Sequence, residues 1–364
     1  MRPRMRVPAV FVAMATPLGA AAGQWAPRTA PFLWGSYSPD AGLLIGAGLA
    51  HTRYGFRALP ASTHLVARAA YATAARAGHA DLEAEFRKPI SPATIALHAQ
   101  VSGLDIIRFY GFGNESDAAQ PDSVYRVRQR RFLFSPAASI PLAPRLRLVI
   151  GPLVSHSRTP ADPGTLLLTT GPYYGVGDFG RIGVSAALER DTRDAPLAAA
   201  RGGYVRVAGR WSPALWDVVD PFGGVSAEAA TYVSMGDPAA ATIALRAGGE
   251  AVLGTAPFHD AVYLGGANTI RGYAEDRFAG EEAVYANAEL RLRVARPAPG
   301  DVGVLGLADA GRVWVAGESS DRWHGAVGGG LWFAWRHRRA NTVSVAVARS
   351  PERTALYVRA GFLF

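Results

Sequence analysis

The sequence contains no cysteine, so disulfides, zinc–thiolate sites and thiol nucleophiles are excluded at once. Beyond the N-terminus it has no apolar run of the roughly 18 residues that a membrane helix needs, which excludes a helical membrane bundle. Amphipathic helices are missing as well. There is no G-x-S-x-G elbow, no P-loop and no H-E-x-x-H pair. The histidines are scattered, and His324 and His337 lack metal-ligand spacing. Ser155–His156–Ser157 lacks the Asn-His-x-Ser-Asn-Gly setting of a barrel phospholipase. Glu281–Glu282 reads as a pair of solvated loop acids, and the sequon Asn114–Glu115–Ser116 as coincidence. The formal charge is +9, but the basic residues are nearly all arginine, set singly along alternating segments. That is a poor footprint for a DNA or RNA groove. The expectation is a non-enzyme with no catalytic residue, no metal, no cofactor and no nucleic-acid partner.

What is present begins with an export signal. Residues 1–6 are basic, residues 7–18 form a short apolar core, and Ala20–Ala21–Ala22 offers a cleavage site before Gly23. Pro8 and Pro17 interrupt the apolar run, which argues against an uncleaved anchor. Residues 1–22 are expected to be a signal peptide and 23–364 one exported domain, since no Pro/Gly/Ser-rich linker divides the rest.

That rest alternates. Between residues 283 and 294, Val284, Ala286, Ala288, Leu290, Leu292 and Val294 fall on one face of a strand. Tyr285, Asn287, Glu289, Arg291 and Arg293 fall on the other. At the end of the chain Leu356, Val358, Ala360, Phe362 and Phe364 alternate with Tyr357, Arg359 and Gly361. Strands with one apolar and one charged face can meet lipid outside and water inside. Sixteen such segments can be marked, from 31–38 to 355–364, an even number as a single-chain barrel requires. The three longest connections, 108–122, 158–177 and 254–282, then all fall on the extracellular side. The expected fold is all-β, a sixteen-stranded antiparallel transmembrane β-barrel in the bacterial outer membrane. The short first segment and Gly361 near the last suggest a weak seam between them, because a strand glycine has no side chain to pack.

One stretch of the sixth outer connection departs from this pattern. Ile270–Arg271–Gly272–Tyr273 places a cation where the candidate acidic partners, Glu289 and Asp309, lie on later strands. An unpaired buried charge is costly, so such an arginine needs remote carboxylates. The tetrapeptide resembles the signature of the bacterial surface antigen superfamily, the BamA/TamA-like outer-membrane assembly factors and their two-partner-secretion relatives. Asn287–Ala288–Glu289–Leu290 is similar to that family's next strand, and Leu307–Ala308–Asp309–Ala310–Gly311 to its apolar-x-Asp-x-Gly motif. Asp191–Thr192–Arg193–Asp194, with Pro196, Arg201 and Gly202, resembles its turn after strand eight. Tyr110 to Ser116 resembles a loop motif of members lacking the usual N-terminal domains.

The resemblance implies that the sixth loop folds into the lumen, where Arg271 pairs with Glu289 and Asp309. Gly272 would allow close backbone approach, and Tyr273 would pack on the inner wall. Tyr357, Phe362 and Phe364 would form a C-terminal assembly signal. It further implies protein insertion into, or translocation across, the outer membrane without chemical catalysis. The partners would be outer-membrane lipid, client outer-membrane or secreted proteins, and a separate periplasmic partner, because POTRA domains are not expected. The alternative is a structural or lipid-handling barrel, or a narrow pore.

Overall fold

A computed structural model describes residues 25–38, 42–73, 76–89, 91–236, 239–335 and 338–364. The expected signal peptide and His337 lie outside the described residues. In chain order come β1 (Arg28–Ser38), β2 (Gly42–Gly55), β3 (Ala58–Ala72), β4 (Ala77–Arg87) and β5 (Thr94–Arg108). A one-turn helix, α1 (Asp122–Tyr125), precedes β6 (Arg126–Ala143) and β7 (Leu146–Thr159), and a second, α2 (Leu166–Thr169), precedes β8 (Gly177–Asp191). Then follow β9 (Gly202–Ser212), β10 (Phe222–Met235), β11 (Ala241–Leu253), β12 (Val262–Leu264) and β13 (Phe278–Gly280). The chain ends with β14 (Glu282–Ala295), β15 (Gly300–Trp314), β16 (His324–Trp335), β17 (Arg338–Arg349) and β18 (Thr354–Ala360).

All strands except β12 and β13 form one antiparallel sheet of sixteen, each bonded to its neighbour in chain order. Among the described residues no ladder joins β1 to β18. β12 and β13 make a separate ribbon within the connection from β11 to β14. The long expected connections fall between β5 and β6, β7 and β8, and β11 and β14.

Burial on this sheet is inverted relative to a soluble protein. On β14, Val284, Leu290, Leu292 and Val294 are exposed, while Asn287, Glu289 and Arg291 are buried. The same alternation gives exposed Ile182, Val184 and Leu188 on β8, with Arg181 buried. Apolar side chains outward and charge inward is the pattern of a sheet that meets lipid on its outer face. The sheet curls around its polar face. The turn between β8 and β9 reaches the chain end, with the Phe362 amide donating to the Leu197 carbonyl at 3.0 Å.

Two details at the ends differ from the alternation reading. The first strand is not short: it runs over 11 residues, as long as β4 and β9. The last strand stops at Ala360, after seven residues. Gly361 takes a left-handed backbone, φ 87°, which turns the chain off the sheet edge. Phe362 and Phe364 therefore do not continue the outward face of the strand.

Candidate functional site

The connection between β11 and β14 lies on the polar side of the sheet. Its ribbon packs an apolar wedge, Val262, Leu264, Ile270, Tyr273 and Phe278, against Ala283, Val313 and Ala326 of the sheet. Ile270 is fully buried. The tip between β12 and β13 is shaped by Gly265 and Gly266, both left-handed. It is tied by the Gly265 amide on Thr269 Oγ1 at 2.8 Å and the Ala267 amide on Glu275 Oε1 at 2.7 Å. With the apolar wedge seated, Arg271 has nowhere to go but inward.

Arg271 is 3% exposed and fully engaged. Its Nε and Nη2 donate to the two oxygens of Asp309, each at 2.7 Å, in a planar fork. The Arg271 amide donates to the same carboxylate at 3.0 Å. Nη1 donates to Glu289 Oε1 at 2.5 Å. Burial opposes the charge, but the two carboxylates outweigh it and raise the guanidinium pKa. Asn287 supports the arrangement by donating from Nδ2 to Asp309 at 2.8 Å and to the Thr269 carbonyl at 2.6 Å.

The rest of the motif is held just as closely. Gly272 adopts φ 84°, and an added Cβ would lie 3.0 Å from the Ser350 amide nitrogen. Its amide donates to the Tyr357 hydroxyl at 2.8 Å, and its carbonyl accepts from Ser350 Oγ at 2.7 Å. Tyr273 packs edge-on against Phe278 and His324, at 5.3 and 5.7 Å between ring centres. Gly272→Ala should cost about 1–3 kcal/mol, the range for a non-glycine residue forced into the left-handed region. The expected result is faster proteolysis of residues 254–281 in the folded protein, followed on gels; an unchanged rate would contradict it.

The geometry separates the three residues grouped as a C-terminal signal. Tyr357 faces inward and touches the motif, while Phe362 and Phe364 belong to a tail that folds beneath it. The link is Arg291. Its Nη2 donates to Glu289 Oε2 at 2.7 Å and to the Phe364 main-chain oxygen at 3.0 Å. Its Nη1 donates to the Ala199 carbonyl at 3.0 Å, and its guanidinium lies 3.8 Å from the Phe362 ring centre. Glu289 thus joins Arg271 of the loop to Arg291 and, through it, to the tail and the turn between β8 and β9.

Both ends of the connection are pinned too. Near its start, Asp260 lies between Arg181 Nη1 at 2.7 Å and Arg210 Nη1 at 3.0 Å. Burial pushes the Asp260 carboxyl up, but the two guanidiniums override it and hold the pKa at about 2. His259, beside it, is buried against Phe179 and Phe258, and burial pushes its pKa down to about 4. Near the far end, Arg277 donates to the Ser116 carbonyl at 2.6 Å and to the Glu352 carboxylate at 2.9 Å. The segment from Tyr110 to Ser116 is docked on this side, with the Gly113 amide on the Ala279 carbonyl at 2.8 Å. Asn114 is buried there and its amide donates to Glu318 at 2.7 Å.

Between the loop, the tail and β7 to β11 lies a cavity of about 620 Å³. Its lining includes four arginines and four acids, Arg147, Arg193, Arg206 and Arg246 with Glu189, Asp191, Glu228 and Glu250. Arg246–Glu228 at 2.6 Å and Arg206–Glu189 at 2.9 Å pair across the sheet, and Arg193 pairs with Asp191 at 2.7 Å where β8 ends. Among the described residues, no cluster of three or more histidines or acids is placed to hold a metal ion.

The model of the Omp85 superfamily domain matches residues 78–337, more than half of the chain. The chain belongs to the Omp85 superfamily. Solved structures agree on the fold. BamA from Haemophilus ducreyi lacking POTRA domains 1–3 is 12% identical, with a TM-score of 0.65, covering 96% of this chain and 73% of that one. CdiB from Escherichia coli is 11% identical, with a TM-score of 0.53, covering 96% and 66%. CdiB from Acinetobacter baumannii is 11% identical, with a TM-score of 0.51, covering 98% and 66%. No curated protein matches in sequence. Membership of this superfamily implies the bacterial outer membrane and, in general terms, protein insertion or translocation.

The alternation and motif reading named Arg271, Glu289 and Asp309 but gave no role to Arg291, Asp260 or Arg277. Arg291 carried a signal, since it follows Glu289 by two residues and so shares its face. Asp260 and Arg277 carried none, because their partners are remote in sequence.

Proposed function

We propose that the sheet closes into a sixteen-stranded barrel spanning the outer membrane, with its long connections outside and residues 254–281 held in the lumen as an internal lock. The barrel inserts proteins into, or passes them across, the outer membrane without chemical catalysis. Its clients are outer-membrane or secreted proteins, and a separate periplasmic partner gathers them. The observation that carries the reading is Arg271, buried and forked onto Asp309 while bonded to Glu289, in a chain of this superfamily. A buried ion pair contributes little net stability when compared with apolar packing, so its use suits a device that fixes one arrangement of a loop.

A structural or lipid-handling barrel is the second reading, favoured by the charge-paired lining of the cavity, which offers no unpaired charge to a passing chain. Depletion of the protein separates them. A fall in the levels of other outer-membrane barrels or secreted proteins, with lipid asymmetry intact, is expected. Unchanged protein levels with disturbed asymmetry would overturn the first reading in favour of the second.

A further inference from the structure

Three outward arginines crowd together at one place on the rim that carries the long connections. On β6, Gln129 and Leu133 point inward and are buried, so Arg128 and Arg130 point outward, where they are exposed. Arg130 sits directly opposite Arg158 of β7, which is 65% exposed. Like charges opposite one another on a sheet are destabilising. Asp178 of β8 faces Arg158, but only at 3.8 Å and half exposed, leaving three guanidiniums against one carboxylate. Among the described residues no carboxylate pairs with Arg128 or Arg130.

The next outward row is aromatic. Phe132 of β6 lies opposite His156 of β7, and His156 stacks on Trp216 at 5.7 Å. Trp216 comes from the connection between β9 and β10, which folds back over the outer face so that its ring covers Gly180. Trp216 holds φ 64°, a strained conformation for a bulky residue. The Asp217 carboxylate fixes it there by accepting from the Gly180 amide at 2.7 Å. An outward tryptophan of this kind marks the level of the lipid headgroups. Directly below it the outward residues are apolar, Phe134, Val154 and Ile182.

We propose that Arg128, Arg130 and Arg158 form a binding site for the phosphate-bearing headgroup of an outer-leaflet lipid. The site is set by depth and charge: guanidiniums project from the lipid-facing side immediately above an aromatic row, where a headgroup phosphate lies. The anion bridges Arg130 and Arg158 and removes their mutual repulsion, and the planar guanidiniums suit phosphate oxygens. The acyl chains then run down over Phe132, Phe134 and Val154. The proposal takes the long connections to be outside, as above, but its test does not depend on that orientation.

The full chain, purified in dodecylmaltoside, is incubated with lipid A or with the same lipid after removal of its phosphates, washed, and the retained lipid measured by mass spectrometry. The phosphorylated lipid is expected to be retained and the dephosphorylated one lost. Arg130→Gln and Arg158→Gln should each reduce retention roughly fivefold, the equivalent of one basic contact at a membrane surface. The triple variant with Arg128→Gln should abolish it. Arg349→Gln, an exposed outward arginine at the same rim on β17, should leave it unchanged. Equal retention of the two lipids, full retention by the triple variant, or an equal loss in Arg349→Gln would each overturn the proposal.

Discussion

Arg271→Ala is expected to release the loop from the polar face of the sheet, lowering the temperature at which the folded protein loses its compact mobility on unheated gels. Removing one member of a buried ion cluster costs about 3–5 kcal/mol, because its partners stay behind without compensation. The two partners are not equally exposed to that loss. Glu289 keeps Arg291, which donates to it at 2.7 and 2.9 Å. Asp309 keeps two neutral donors, the main-chain amide of residue 271 at 3.0 Å and Asn287 at 2.8 Å, but loses its cation. Asp309→Asn should therefore resemble Arg271→Ala in size, and Glu289→Gln should be milder at the loop but should also loosen the tail. Arg271→Lys keeps the charge and loses the fork onto Asp309, so it should fall between the parent and alanine. The double variant Arg271→Ala/Asp309→Asn should cost clearly less than the sum of the single changes, since both remove one interaction. Strict additivity, or a parent-like mobility in both single variants, would mean the pairing does not hold the loop.

The parts of this site that could be read from the chain were those with a local or motif signature. Alternation separates Glu289 and Asp309 from the lipid-facing residues because strand side chains have a period of two. The tetrapeptide marks Arg271, and resemblance ties it to those two acids. Alternation fails where the backbone leaves the sheet without changing the pattern. Phe362 and Phe364 continue the spacing of Leu356 and Val358, and only the left-handed turn at Gly361 sends them inside. It also fails for contacts made by the curl of the sheet. Arg277 and Ser116 are 161 residues apart, and Asp260 and Arg210 are 50 apart. No residue pattern along one strand reports which distant segments meet over the polar face of the sheet. The same limit hid the outward arginines, since Arg130 and Arg158 become neighbours only when β6 and β7 pair.

Asp260→Asn is expected to free the first half of the loop, and mild acid to do the same in the unaltered protein. Asp260 neutralises two arginines, buried Arg181 and half-buried Arg210. An asparagine in its place preserves shape but takes the carboxylate from Arg181 and leaves Arg210 to the more distant Glu250 at 3.8 Å, a loss of about 3–5 kcal/mol. Acid acts through His259 first. Docked, its pKa is about 4 against 6.5 for a free histidine, so the released loop binds a proton that the docked loop excludes. Docking is therefore weakened as pH falls from about 6.5 and is fully penalised below about 4, by roughly 3 kcal/mol. Asp260 adds a second loss at lower pH. Its docked pKa of about 2 lies below the free value of 3.8, so its stabilisation is complete above 3.8 and disappears as pH falls through 2. Protease sensitivity of residues 254–281 should thus rise in two stages on acidification. His259→Gln should remove the first stage and leave the second, whereas Asp260→Asn should make the loop sensitive already at neutral pH. A parent loop equally resistant at pH values on both sides of the first window would show that His259 is not held neutral by its docking.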